Sequence, residues 1–226
     1  MARIGIITIG QSPRVDVVPE LAPLMGLEET DILEMGALDG LSPQEVEAYK
    51  PGPDDFHLAT RMQDGSEVIV AKEKILPRMA RAVKKMSGRG VSLILLLCNG
   101  TFPRFETDCL IIEPNKLVNQ VLAGLIDPSH RLGVMLPVAE QCDWARESFA
   151  SITPQITTAV ASPYSDQAEL DKACAKLESA GCDLVVLYCM GFNPRLGAKV
   201  RNRVSMPVLV SSTLTARVIG ELAGGA

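Results

Sequence analysis

The sequence predicts an α/β fold built from two similar lobes, on three observations. Apolar runs of strand length alternate with helical periodicity along the whole chain. Two of those runs end in matching contexts, Cys98-Asn99-Gly100-Thr101-Phe102 and Cys189-Met190-Gly191-Phe192. The stretch Arg131-Leu132-Gly133-Val134-Met135-Leu136 echoes Arg3-Ile4-Gly5-Ile6-Ile7-Thr8, so an Arg-x-Gly strand opens each half. The expectation is two pseudo-symmetric lobes, each a small, mainly parallel sheet flanked by helices, with the site in the cleft between them. The first lobe is placed at 1–113, with an insertion at 36–71. The second is placed at 114–226, its last helix (212–224) able to pack back on the first lobe.

Taken in order, residues 3–9 form a continuous apolar strand of the kind buried on both faces of a parallel sheet. Gly10 and Gln11 turn the chain. Ser12 suits an N-cap and Pro13 a first helical position, predicting a helix to about Leu24. A strand–turn–helix start of this kind aims backbone N–H groups above the sheet, where an anion would bind. Neither a GxGxxG nor a P-loop pattern is present, so it is not a nucleotide fingerprint. Residues 30–35 read as a second strand, and Ser42-Pro43 opens a short helix to about Tyr49. Gln63-Asp64-Gly65-Ser66 is a hairpin signal between strands 57–62 and 67–71. Ile75, Met79, Val83 and Met86 mark one helical face, with Gly88 as its stop. Residues 92–98 form the central strand and 108–112 a further short one.

Pro114 opens a helix whose Leu117, Val118, Val121, Leu122 and Leu125 share a face, and Pro128 ends it. The pattern then restarts with a strand from Arg131, a helix at 140–151 and a strand at 155–161. In the helix 166–180, Asp166 and Glu169 form a capping pair and Leu170, Ala173, Cys174 and Leu177 point inward. A strand at 183–189, a helix opened by Asn193-Pro194-Arg195, a strand at 208–210 and a helix at 212–222 complete the chain.

Composition narrows the function. The 226 residues carry a net charge of −5 with a pI near 5.2, so the basic footprint of a nucleic-acid binder is missing. Arg78, Arg81, Lys84 and Lys85 fall at helical spacing and read as a solvated helix face, as do Arg195, Lys199, Arg201 and Arg203. No apolar run reaches spanning length, and Ile4–Ile9 is too short for a signal-peptide core. The expectations are a cytoplasmic protein that contacts neither membrane nor nucleic acid, with six reduced cysteines. No cysteine pair is spaced C-x-x-C and only two histidines are present, so no metal site is expected. His57 and His130 read as surface residues and Trp144 as a packing residue.

Ligands of open α/β sheets bind beyond the carboxyl ends of the strands. Cys98 and Cys189 end their strands there, each with a glycine two residues on that lets backbone amides approach a ligand. Cys109, Cys142, Cys174 and Cys182 lie inside or at the start of elements and read as buried packing residues. Ser12 and Arg14 form the candidate carboxylate site. A cation in a first helical turn costs a few tenths of a kcal/mol against the dipole (order of magnitude), which an anionic ligand would reverse. The plain alternative for Arg14 is a solvated side chain paired with a nearby Asp or Glu. Asn99, Gly100 and Thr101 offer amide and hydroxyl donors, as do Gly191 and Phe192 in the second copy. Ser211 and Ser212 lie at a strand end and helix start, as caps or as ligand donors.

These residues resemble a known group. Cys98-Asn99-Gly100-Thr101 is similar to the Cys-Asn-Thr motif of the aspartate/glutamate racemase superfamily, and Leu187-Tyr188-Cys189-Met190-Gly191-Phe192 to its second cysteine motif. Over the full length, three stretches resemble the AroM family, a branch of that superfamily. They are Ile7-Thr8-Ile9-Gly10, Glu34-Met35-Gly36-Ala37-Leu38-Asp39-Gly40-Leu41-Ser42 and Pro207-Val208-Leu209-Val210-Ser211-Ser212. The resemblance implies a cofactor-free site in which two cysteines flank a carboxylate-bearing α-carbon. One thiolate removes the proton and the opposite thiol returns it to the other face. The implied ligand is a small carboxylate. A single-cysteine decarboxylase or cis–trans isomerase relative, a non-catalytic small-anion binder, and a homodimer all stay open.

Overall fold

The computed structural model describes residues 4–224; Arg3, expected to open the first strand, lies outside them. The first half runs β1 (Ile4–Thr8), α1 (Val18–Leu21), β2 (Ile32–Gly36), α2 (Pro43–Val46), β3 (His57–Arg61), β4 (Glu67–Ala71), α3 (Lys72–Ser87), β5 (Leu93–Leu96), β6 (Leu110–Ile112) and α4 (Pro114–Leu125). The second runs β7 (Leu132–Leu136), α5 (Cys142–Phe149), β8 (Ile156–Val160), α6 (Gln167–Ser179), β9 (Leu184–Leu187), α7 (Pro194–Arg201), β10 (Val208–Val210) and α8 (Ser211–Ala223). The chain forms two compact units. One takes the residues up to Asn115 and those from Ala216 onward, and the other takes Lys116–Thr215. The fold is therefore α/β, with two parallel sheets flanked by helices.

Both sheets have four strands, ordered β2-β1-β5-β6 and β8-β7-β9-β10. All their pairings are parallel. The orders coincide when β1 is matched with β7, β2 with β8, β5 with β9 and β6 with β10, so the sequence duplication is a duplication of topology. Burial follows from it. The inner strands β1, β5, β7 and β9 are buried throughout, while β2, β6, β8 and β10 at the edges are partly exposed. An inner strand covered by helices on both faces needs an unbroken apolar run, and those are the four runs that stand out in the sequence.

Side-chain alternation sorts the second unit's core into two layers. Met135, Val185 and Leu187 pack with Leu170, Ala173 and Leu177 of α6 on one face. Leu132, Val134, Leu136 and Val186 pack with Phe149 and Ala145 of α5 on the other. In the first unit Ile75, Met79, Val83 and Met86 of α3 are all fully buried against Ile7, Ile94 and Leu96.

Three elements depart from the sequence expectation. The helix expected from Pro13 begins only at Val18 and lasts four residues, passing into a 3-10 turn at Ala22–Met25. Pro19 and Pro23 each lack an N–H, so a regular i→i−4 ladder cannot run through this stretch. The backbone N–H groups of Ser12 and Arg14 go instead to the carboxylates of Asp39 and Glu34. Leu125, placed on the buried face of α4, is 57% exposed, whereas Val118 and Leu122 are fully buried. Arg78 is not solvated: it donates to the carbonyls of Ala37 and Asp39.

The insertion is an antiparallel hairpin, β3–β4, in register from His57↔Ala71 to Arg61↔Glu67. It lies over the carboxyl end of the first sheet. Gln11 latches it there: its N–H donates to Arg61 O (3.1 Å) and its Oε1 accepts from Gln63 N (2.8 Å). Its Nε2 donates to Leu38 O (3.3 Å) and Leu41 O (2.9 Å). A Cβ at Gly10 would stand 2.3 Å from Arg61 O and 2.4 Å from Thr60 Oγ1, so only glycine permits this approach.

Candidate active site

Cys98 and Cys189 occupy the same place in the two units. Each lies two residues past an inner strand, after Leu96 of β5 and Leu187 of β9. Leu96 pairs with Ile7 and Leu187 with Met135. The ladder continues one residue further in both, through Leu97 N to Ile7 O (2.8 Å) and Tyr188 N to Met135 O (2.9 Å). Each loop then turns back on its sulfur. Gly100 N donates to Cys98 Sγ at 3.3 Å and Gly191 N to Cys189 Sγ at 3.4 Å. An amide dipole aimed at sulfur stabilises negative charge there. The two differ in exposure: Cys98 is 8% exposed and Cys189 is half-buried.

The first unit surrounds its strand ends with charge. Arg14, 4% exposed, grips Asp16 with two parallel bonds, Nε to Oδ1 and Nη2 to Oδ2, both 2.9 Å. Its Nη1 donates to Thr8 Oγ1 at 3.0 Å. Arg61 of the hairpin approaches the same carboxylate, Nη1 to Oδ2 at 3.7 Å. Burial alone would raise the Asp16 pKa, but the Arg14 bonds and the charges of Arg14 and Arg61 outweigh it and hold the carboxyl below its ordinary range. Glu34 goes the other way. Burial pushes its carboxyl up, against the opposing pull of the Arg14 N–H and guanidinium. Ser12 gives both its N–H and its hydroxyl to Asp39, each at 2.7 Å. Asp39 also accepts from Gly36 N at 2.7 Å. The donors expected to wait for an external anion therefore hold carboxylates of the chain itself.

Asn99 is buried beside Cys98, and Thr101 Oγ1 accepts from Asn115 Nδ2 at 3.3 Å. In the second unit Ser211 Oγ donates to Leu187 O at 2.8 Å, and Ser212 Oγ donates to Phe192 O. The two serines thus brace the strand end and loop that carry Cys189. Phe192 is fully buried. Asn193 caps α7 by accepting from Leu196 N at 2.9 Å.

Four residues beside these loops carry no sequence signal as site residues. Thr60 Oγ1 and Asn115 Oδ1 are buried without a hydrogen-bond partner, a state that costs about 1–3 kcal/mol unless a ligand or water bonds them. Pro163 and Tyr164, in the loop after β8, press on Gly191, whose Cβ would stand 2.7 Å from Pro163 Cγ and 2.8 Å from the Tyr164 hydroxyl. All four are set by strand order and loop packing, which a linear pattern does not display.

His57 Nδ1 bonds Asp55 O and His130 Nδ1 accepts from Asp127 N, each within its own turn. Trp144 packs on Tyr188, ring centroids 5.8 Å apart. No disulfide links the six cysteines. Among the described residues no group of His, Cys, Asp and Glu could hold a metal ion, and no helix is long and apolar enough to cross a membrane.

A family model described as AroM protein matches residues 4–223. No curated protein sequence matches the chain. Among solved structures, glutamate racemase from Aquifex pyrophilus is similar with a TM-score of 0.58 and 14% identity, covering 97% of this chain and 83% of that one. Aspartate racemase from Picrophilus torridus gives 0.55 and 16%, covering 98% and 94%. Unliganded arylmalonate decarboxylase gives 0.57 and 15%, covering 100% and 94%. At such identities the likeness is one of fold.

Proposed function

The chain belongs to the AroM family, and on that premise we propose that it is a cofactor-independent, racemase- or isomerase-like protein acting on a small carboxylate through Cys98 and Cys189. The observation supporting this is the matched pair of thiols, each at the end of the equivalent strand with a glycine N–H on its sulfur. In the proposed reaction one cysteine, as thiolate, takes the proton from the α-carbon, and the C–H electron pair passes into the carboxylate. The other cysteine, as thiol, gives its proton to the opposite face of that carbon. The thiols have then exchanged protonation states and the stereocentre is inverted. The Asn99 amide and the Thr101 hydroxyl receive the carboxylate as its charge grows, while the Gly100 and Gly191 N–H groups stay on the sulfurs. Ser211 and Ser212 hold the strand end and loop that carry Cys189, and Ser12 and Arg14 fix the loop after β1 through Asp39, Glu34 and Asp16.

The test is proton exchange. The protein is incubated in D2O with a panel of small α-amino and α-hydroxy carboxylates, and deuterium at the α-carbon is read by NMR. Two-cysteine transfer requires exchange in the parent and its loss in both Cys98→Ser and Cys189→Ser. A second reading, a single-cysteine decarboxylase or cis–trans isomerase relative, draws on the unequal burial of the two sulfurs; loss in only one variant selects it. Thermal stabilisation by an acid that undergoes no exchange selects a non-catalytic anion binder.

A further inference from the structure

The face of α3 turned away from the core borders a cavity of about 490 Å³, closed on its other side by residues 103–106 of the loop that follows Cys98. Its walls are apolar, with Leu76 and Ala80 on the helix and Phe105 on the loop. Around it stand Arg81, Lys84 and Arg104, with Glu106 the one carboxylate. An excess of positive charge here runs against the net charge of −5 on the chain, and it marks what the cavity would attract. The volume falls within the range of about 300–1,000 Å³ typical of small-molecule sites.

A path of contacts leads from this cavity to the thiol. The Phe105 and Phe102 rings lie 6.3 Å apart. Phe102 Cζ would stand 3.3 Å from a Cβ on Gly100, and Gly100 N donates to Cys98 Sγ. The hydroxyls of Ser87 at the end of α3 and Thr107 in the loop bond each other, so the loop is tied to the helix at one end of the cavity.

We propose that this cavity binds an amphipathic organic anion, an apolar ring body carrying one acidic group, and that its occupancy alters the reactivity of Cys98. The apolar body packs on Leu76, Ala80 and Phe105, and the acid meets Arg81, Lys84 and Arg104. Seating a ring against Phe105 moves Phe102 and with it the Gly100 amide that faces the sulfur.

The binding half does not depend on the proton-transfer reading, because its readout is fluorescence and alkylation instead of turnover. The probes are 8-anilinonaphthalene-1-sulfonate and the uncharged N-phenyl-1-naphthylamine, which share a ring body and differ in charge. Two variants on exposed side chains are compared with the parent after circular dichroism has checked their fold: Arg81→Glu with Arg104→Glu, and Ala80→Phe. The expected result is one saturable sulfonate site, weakened at least tenfold by the charge reversal and lost when Ala80→Phe places a ring where the apolar body would sit. The neutral amine keeps its affinity in the charge-reversed protein and loses it in Ala80→Phe. Saturating sulfonate changes the iodoacetamide rate at Cys98 at least threefold in the parent and leaves it unchanged in Ala80→Phe. Sulfonate binding that both variants retain would overturn the site. Binding with no change in the Cys98 rate would overturn the coupling.

Discussion

Gly100 donates its backbone N–H to the Cys98 sulfur at 3.3 Å, and the space around that glycine is full. A Cβ there would stand 3.2 Å from Leu58 of the hairpin, 3.3 Å from the Phe102 ring and 3.4 Å from the sulfur itself. Gly100→Ala therefore overpacks the loop and costs about 1–3 kcal/mol of stability. It also changes the alkylation rate of Cys98 and leaves that of Cys189 as it was. Urea melts and site-resolved labelling by mass spectrometry check both outcomes, and equal changes at the two cysteines would contradict the local role assigned to Gly100.

Asp16 neutralises a guanidinium that is almost fully buried. Asp16→Asn leaves the Arg14 charge without its counter-ion and destabilises the protein by about 3 kcal/mol at pH 7. The pH dependence has a fixed sign. The carboxyl is held below its ordinary value of 3.8 because the Arg14 and Arg61 interactions outweigh the opposing effect of burial. Its contribution is therefore complete above that value and is lost as pH falls through the lower, folded one. Denaturation at pH 7 and near pH 3 should show the gap between parent and variant closing in acid.

Glu34 carries the opposite sign. Burial raises its carboxyl above the ordinary 4.5. Stability from a raised carboxyl is complete below 4.5 and is lost as pH rises through the folded value. Glu34→Gln cannot ionise, yet it keeps an oxygen for the Arg14 N–H. Urea melts should match the parent near pH 4 and show the variant gaining on it from pH 5 to 7. A variant that instead loses ground over that range would show that attraction to Arg14 outweighs burial.

Gln11 joins the loop after β1 to the hairpin and to the turn after β2 through three side-chain bonds. Gln11→Ala removes all three, at about 1–3 kcal/mol in total given their partial burial. Amide hydrogen exchange should quicken across residues 57–71 and stay unchanged in β7 and β9. Uniform quickening across both units would mean that Gln11 acts on global stability and not on the latch.

Cys174 and Cys182 are buried, and burial pushes both thiols up. Iodoacetamide should label the half-buried Cys189 while these two remain unmodified in the native protein. Labelling of either at the Cys189 rate would overturn their reading as packing residues.

Much of the fold is legible in the residues because local rules and tertiary demands agree. The continuous apolar runs become the four inner strands, since only a strand covered on both faces needs one. Gln63-Asp64-Gly65-Ser66 turns the hairpin, and Gly65 takes φ +92 as that turn requires. Asp166 and Asn193 cap α6 and α7 through the side-chain bonds their residue types favour. The stretch after Ser12 reads wrongly because capping chemistry predicts a helix wherever its donors are unclaimed. Here Asp39 and Glu34, 27 and 20 positions from the donors they hold, claim them.

By itself the sequence determined the two repeated α/β units, their inner strands and the cysteine at the carboxyl end of each central run, which the structure sets two residues past the strand, because periodicity and turn chemistry act over a few residues. Tertiary structure alone decided the surroundings of those cysteines. It set Ser12 on Asp39 and the Arg14 N–H on Glu34, laid the hairpin over Gly10 through Gln11, and buried Thr60 and Asn115 without a partner. It also set the solvated Arg81 and Lys84 of α3 at the border of a cavity shared with Arg104. The physical reason is range. Ion pairs, latches and cavities depend on which distant segments the strand order brings together, and no local pattern in the chain encodes that distance.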